Sequence, residues 1–341
     1  MSPAPTRVAV MGAGSWGTAF SVVLGDAAPS TSVTLWGRRP ELCAAVQSRR
    51  ENPDYLPGVR LPDALTATSD PARALDGAAV VVLAVPSQTL RAGLGQWAPH
   101  VPADAVLVSL MKGLERGTAR RMSEVVREVT GAGPERVAVV SGPNLAGEIA
   151  ERQPAASVVA CADAGAALRL QALTQTPWFR PYTTPDVVGV ELCGVVKNVI
   201  ALACGMAKGL GYGDNTAASL VTRGLAETTR LGLAVGALAP TFPGLAGLGD
   251  LVATCASPRS RNRTFGEQLG RGRSVAEVAG ATRQVAEGVT SCESVLQLAR
   301  AHGVDMPIVE AVAAVVRGEA TAGEATGMLM GRAATAEHAH D

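Results

Sequence analysis

Three glycines set the strongest limit on the fold. In VAVMGAGSWGTAF, Gly12, Gly14 and Gly17 follow a short β-branched run directly and open a helical one. In a strand–turn–helix setting Gly12 permits a tight turn, Gly14 lets the backbone approach a pyrophosphate, and Gly17 lets the helix pack against the sheet. The helix start then presents unpaired N–H groups and a positive dipole end to phosphates. The spacing therefore predicts an α/β, Rossmann-like start that binds a dinucleotide, with a bare tight turn as the alternative.

The rest of the chain extends that reading. RVAVM, SVTLW, AVVVLAV, AVLVSL, RVAVVS and ASVVAC are candidate strands, separated in several places by helical stretches such as SWGTAFSVVLGDAA. Apolar strands alternating with helices predict a parallel sheet covered on both faces. Near Val188 the texture changes to long Ala/Leu/Val segments punctuated by glycine, which predicts an all-α C-terminal domain. The expected division is residues 1–185, 186–331 and a fraying tail, 332–341, with Pro185 and Asp186 opening the first long helix. A length of 341 residues suits two domains, and 47% apolar with 18% charged residues suits compact ones.

Equal counts of basic and acidic residues, 30 each, leave no basic surplus for nucleic acid or an anionic membrane. No run approaches the ~18 apolar residues of a membrane span. No secretory leader is expected before the first strand. Cys43, Cys161, Cys193, Cys204, Cys255 and Cys292 lack C-x-x-C pairing or metal-ligand spacing, so reduced thiols, no zinc and a cytoplasmic setting are expected.

Chemistry concentrates at a few polar positions. Where a second strand would end in a ribose-binding acid, the sequence reads TLWGRRPE. Arg38 and Arg39 there suit the 2′-phosphate of NADP(H), and solvated loop charges are the alternative. Lys112, past AVLVSLM, and Gly142 and Asn144, past RVAVVS, fall at the ligand-binding edge of the sheet. Exposure alone would account for Lys112, and helix capping for Asn144. Lys197 shares a helical stripe with Val190, Cys193, Gly194, Ile200, Ala201 and Cys204, which is a core-facing pattern. Burial would bring its pKa toward neutrality and suit it to proton exchange. A carboxylate partner in the core is the structural alternative. Asp250, in a glycine-rich approach to an apolar helix, reads as that partner or as a cap. Arg259, Arg261 and Arg263 stand beside Ser260 and Asn262 in SPRSRNR, a donor density that fits a phosphate or a solvated basic loop. His100, His302, His338 and His340 lie away from these motifs, so lysine is left as the acid/base.

The segments GAGSWGTA, KGLE, SGPNLAGEIA, ELCGVVKNVIALACG, GLAGLGDLVATC, SRNRTFG and VAEGVTS occur in the order found in bacterial NAD(P)-dependent glycerol-3-phosphate dehydrogenases. From about Arg7 to Gly331 the chain resembles that family. The resemblance implies hydride transfer between NADP(H), or also NAD(H), and C2 of dihydroxyacetone phosphate or sn-glycerol 3-phosphate, supplying phospholipid synthesis. By similarity Ser15, Trp16, Arg38, Arg39, Ala146, Val285 and Glu287 line the cofactor. Lys112 and Arg261 touch cofactor and substrate, and Gly142, Asn144, Ser260 and Asn262 the substrate. Lys197 is the general acid/base, with Asp250 beside it. Two other readings stay open: a lysine-dependent 3-hydroxyacid dehydrogenase and a non-catalytic NADP(H) sensor. The oligomeric state is open too, a homodimer being one option.

Overall fold

The computed structural model describes residues 6–27, 31–281 and 286–333. The first part is one eight-stranded sheet in the order β3-β2-β1-β4-β5-β6-β7-β8. The strands are β1 (Arg7–Met11), β2 (Ser32–Trp36), β3 (Leu65–Thr68), β4 (Val80–Leu83), β5 (Val106–Ser109), β6 (Val137–Ser141), β7 (Ala155–Cys161) and β8 (Phe179–Thr184). β1 pairs in parallel with β2 on one side and β4 on the other. The order reverses there, and the carboxyl ends of the strands leave a ligand crevice at such a switch point. Apolar side chains fill both faces: Phe20 and Leu24 with β1 and β2 on one, Leu90, Leu94 and Trp97 with β4 and β5 on the other.

Two strands and one direction depart from expectation. β3 (LTAT) and β8 (FRPYTT) escape notice because they are the sheet's edges, where half-exposed positions accept Thr, Arg and even Pro181. β6 and β7 pair antiparallel, not parallel. Hydrophobic pattern marks a strand's burial and says nothing of its direction.

Beyond β8 the described residues are helical. Asp186 caps the helix Val187–Gly209 by accepting the Gly189 N–H at 2.9 Å. Every residue from Gly189 to Ala207 is buried. This helix is long and apolar enough to cross a membrane, yet 89% of its apolar window is buried inside the protein. It is the axis around which Asp214–Ala234, Arg261–Gly270, Glu287–Ala301 and Pro307–Arg317 assemble. Its crossing with Arg261–Gly270 is backbone against backbone. A Cβ on Gly205 would stand 2.1 Å from the Arg263 carbonyl oxygen, and one on Gly266 would stand 2.1 Å from that of Leu202. Only glycine permits that approach.

Glu191, six residues before Lys197, ties this helix to the sheet half. Its carboxylate pairs with Arg121 at 2.9 Å and accepts the Ser123 N–H at 2.8 Å. Burial raises its pKa, and the Arg121 charge opposes that shift. The tail beyond residue 333 lies outside the described residues.

Candidate active site

The site is built where the buried helix meets the carboxyl edge of the sheet. Lys197 is 8% exposed. Its ammonium donates to Asp250 Oδ1 at 2.7 Å and to Thr254 Oγ1 at 2.6 Å. The other oxygen of Asp250 accepts from Lys112 Nζ at 2.5 Å, and Lys112 also donates to the Gly142 carbonyl at 3.2 Å. One carboxylate thus lies between two ammonium groups. Burial lowers the Lys197 pKa to about 8, with the Lys112 charge adding to that effect and the Asp250 charge opposing it. A lysine in this state loses and regains a proton near neutral pH.

Secondary structure places each member. Lys112 follows β5, and Gly142, with φ 141°, turns the chain after β6. Asp250 is not a cap: it is the first residue of the helix Asp250–Ala256, and its side chain faces the lysines. The glycine-rich approach is one turn of π-helix, Leu245–Gly249, running straight into that helix. Wide turns of this kind often mark functional sites, since they re-aim the residues that follow. Thr254 stands one turn after Asp250, on the same face.

Asn144 does not cap the next helix either. Its N-cap is Leu145, and Asn144 Nδ2 donates to Ser157 Oγ at 2.9 Å. Ser260 caps Arg261–Gly270, accepting the Arg263 N–H at 3.3 Å. Asn262 Nδ2 donates to Asn198 Oδ1 at 2.8 Å, and its Oδ1 accepts the Gly288 N–H at 2.9 Å. These bonds link three helices beside Lys197 and leave Asn262 one amide hydrogen. Solvent reaches the Arg261 side chain, while the protein packed round it lowers its pKa and the Glu287 charge opposes the shift. Glu287 itself accepts from Ser87 Oγ at 2.7 Å, across the gap between the two halves. Val285 lies outside the described residues.

The glycine turn fits a dinucleotide. Gly12 has φ 136°, and a Cβ there would meet the Ala84 carbonyl oxygen at 2.4 Å. A Cβ on Gly17 would meet the Gly12 carbonyl oxygen at 2.0 Å, whereas one on Gly14 would meet nothing within 4 Å. The packing side is closed and the phosphate side is open. Ser15 begins the helix Ser15–Ala27, and Trp16 Nε1 beside it is buried without a partner among the described residues. Ala146 begins the short helix Ala146–Ala150, which packs on Ser15–Ala27 through Ile149 and Ala19. Arg38 is exposed just past β2, and Arg39 beside it pairs with Asp54.

Comparison with known proteins settles the family. Residues 7–167 match the profile of the N-terminal part of NAD-dependent glycerol-3-phosphate dehydrogenase, and residues 186–327 match that of its C-terminal part. The chain belongs to the glycerol-3-phosphate dehydrogenase family. A glycerol-3-phosphate dehydrogenase (NAD(P)+) of Streptomyces griseus is 62% identical over 98% of both chains. One from Thermobifida fusca is 59% identical, covering 97% of this chain and 98% of the other. The crystal structure of the Coxiella burnetii glycerol-3-phosphate dehydrogenase superposes with a TM-score of 0.92 at 36% identity, covering 97% of this chain and all (100%) of that one. A ketopantoate reductase from Ralstonia eutropha, 18% identical with a TM-score of 0.61 over 94% of this chain and 100% of its own, shares the fold alone.

In this glycerol-3-phosphate dehydrogenase family member, the fold brings Lys112, Gly142, Lys197 and Asp250 into direct contact and sets Asn262 against the Lys197 neighbour Asn198. Thr254, Ser87 and Glu191 were not anticipated. Glu191 carried a signal, since a charge in so apolar a helix calls for the same question as Lys197. Thr254 carried only its spacing of four from Asp250.

Proposed function

We propose that this chain interconverts dihydroxyacetone phosphate and sn-glycerol 3-phosphate, with NADP(H) favoured and NAD(H) also accepted. The observation that carries the chemistry is the Lys197–Asp250–Lys112 cluster, with Lys197 buried and its pKa lowered to about 8. When bound, the reduced nicotinamide supplies the hydride for C2. Lys197 gives a proton to the C2 oxygen as negative charge builds there, and takes it back in the reverse direction. Asp250 aims the ammonium and keeps enough positive charge on it to act. Lys112, held by Asp250 and the Gly142 carbonyl, adds a second positive charge beside the carbonyl.

The phosphate falls to the start of Arg261–Gly270. Its first-turn N–H groups, the Arg261 guanidinium and the remaining amide hydrogen of Asn262 suit a dianion. Ser260 serves as the cap that holds this helix start, and Asn144 and Gly142 shape the opposite wall. Residues 1–185 are taken as the cofactor half and 186–331 as the substrate half, on the strength of β8 ending at Thr184 and Asp186 capping the next helix. A cytoplasmic enzyme providing glycerol 3-phosphate for phospholipids is consistent with this chemistry.

The test is NADPH oxidation with dihydroxyacetone phosphate and with unphosphorylated dihydroxyacetone, in wild type and Arg261→Ala. The variant should lose kcat/KM by several kcal/mol on the phosphorylated substrate and far less on the other. Equal losses on both, with weakened NADPH binding by fluorescence, would place Arg261 with the cofactor instead. Wild-type turnover of a 3-hydroxy acid exceeding that of glycerol 3-phosphate would overturn the substrate.

A further inference from the structure

The cofactor end holds an acid that the order of the sequence conceals. A dinucleotide seated on the glycine turn places its adenosine ribose beside the end of β2. An acid there accepts the ribose 2′-hydroxyl, and an arginine there takes a 2′-phosphate. Arg38 and Arg39 occupy the position expected of the acid. Asp54, fifteen residues further on, brings a carboxylate back to it: the Arg39 guanidinium is ion-paired to Asp54. The same guanidinium lies over the Tyr55 ring, 5.9 Å from its centroid, with Glu41 at 3.8 Å.

This acid is fixed in place by the cofactor loop itself. Asn52 is fully buried, 0% exposed, and its Nδ2 donates to the Ala13 carbonyl at 3.0 Å and to Thr18 Oγ1 at 2.8 Å. Ala13 is the residue between Gly12 and Gly14. Asn52 Oδ1 accepts the Tyr55 N–H at 3.3 Å, and the Asn52 carbonyl accepts the Leu56 N–H at 3.0 Å. The segment from Asn52 to Leu56 is therefore a small turn bolted to the glycine loop, with Asp54 and Tyr55 at its tip. The tip faces the end of β2.

We propose that Asp54 is a specificity-determining residue that moderates the preference for the phosphorylated cofactor. Its carboxylate occupies Arg39. A 2′-phosphate must displace the carboxylate to gain the guanidinium, and it meets the negative charge of Asp54 as it does so. A 2′-hydroxyl requires no exchange and finds an acceptor in the same carboxylate. Arg38, exposed and without an ion pair among the described residues, is available to either. The inference rests on the reading of Arg38 and Arg39 as the 2′-phosphate site.

The experiment measures dissociation constants for NADPH and NADH by cofactor fluorescence. It uses the full-length wild type, Asp54→Asn, Arg39→Ala and the double variant at one ionic strength. Asp54→Asn should raise the preference for NADPH over NADH about tenfold, the scale of removing one like charge at a few ångströms near the surface. Part of the gain should persist in the Arg39→Ala background, where Asp54 still repels a 2′-phosphate but no longer competes for a guanidinium, and kcat/KM ratios with dihydroxyacetone phosphate should move in parallel. If Arg39→Ala weakens NADPH selectively while Asp54→Asn leaves the preference unchanged or lowers it, the role of Asp54 is overturned and the arginine site stands. If neither changes the preference, both readings fall.

Discussion

Asp250 and Asp54 are both carboxylates gripping cations, and water separates what they can do. Asp250 is buried between Lys112 and Lys197, with side-chain exposure of 2%. Asp54 and Arg39 keep 45% and 39% of their side-chain exposure. In the interior each charge depends on its partner, because removing one leaves another stranded in a poor solvent. At the surface water and salt replace a lost partner, so the pair can open and close around a ligand. One aspartate fixes the proposed proton donor; the other is exchangeable.

The contrast breaks most sharply at Asp250. Asp250→Asn should cost about 3–5 kcal/mol of stability in denaturant titrations, since two ammonium groups lose their shared counter-ion. It should also abolish most turnover. Stability within 1 kcal/mol of wild type would show that the lysines do not need it.

Lys197→Met removes the proton and keeps the volume. Turnover should fall roughly 10²–10⁴-fold, the scale of losing a general acid/base. Asp250 keeps Lys112 as its partner, so the thermal midpoint should hold or rise and NADPH should still bind. More than a tenth of wild-type kcat, with chemistry rate-limiting, would remove Lys197 from the role.

The acidity of Lys197 gives the next effect. With its pKa at about 8, the ammonium dominates below that pH and the free amine above it. Carbonyl reduction needs the ammonium, so kcat/KM should be level below about pH 8 and fall about tenfold per unit above it. Alcohol oxidation needs the amine, so its kcat/KM should rise toward pH 8 and then level off. Any activity left in Asp250→Asn should show both profiles displaced to lower pH, because the charge that raises the lysine's affinity for its proton is gone. Profiles that ignore the substitution would uncouple the pair.

The smallest effect belongs to the exposed pair. Asp54→Asn should change stability by no more than about 1 kcal/mol, although cofactor preference responds. A loss as large as that of Asp250→Asn would mean that the turn at Asn52–Leu56 hangs on Asp54, not on Asn52.

The same contrast explains what was legible in the sequence. Lys197 announced itself because a charge in an apolar stripe breaks a local rule. Gly12, Gly14 and Gly17 did so because their spacing and context are contiguous. Asp250 was legible as a residue but not as a bridge, since Lys112 stands 138 positions away. Asp54 was invisible for a related reason: the acid expected at the end of β2 was sought within that segment, and the fold supplies one from a later turn. Asn144, for which helix capping was the alternative to a substrate contact, bonds to Ser157 on β7, a partner that only the antiparallel pairing brings near. Local chemistry reads from sequence, whereas pairing across the chain needs the fold.

The bare crossing at Gly205 and Gly266 has a consequence for what the enzyme can measure. A contact made by side chains is adjustable, because rotamers can shift to absorb an ångström of error. Main chain pressed on main chain has no such slack, so the gap between the two helices is set by the thickness of the peptide backbone. One of these helices presents Lys197, and the other begins at Arg261. On the proposed reading, in which the first gives the proton and the second grips the phosphate, the distance between them is held like the jaws of a fixed gauge. A ligand whose oxygen and phosphate are separated by the wrong number of bonds cannot reach both ends at once, and length becomes a property the active site reads without any residue dedicated to reading it.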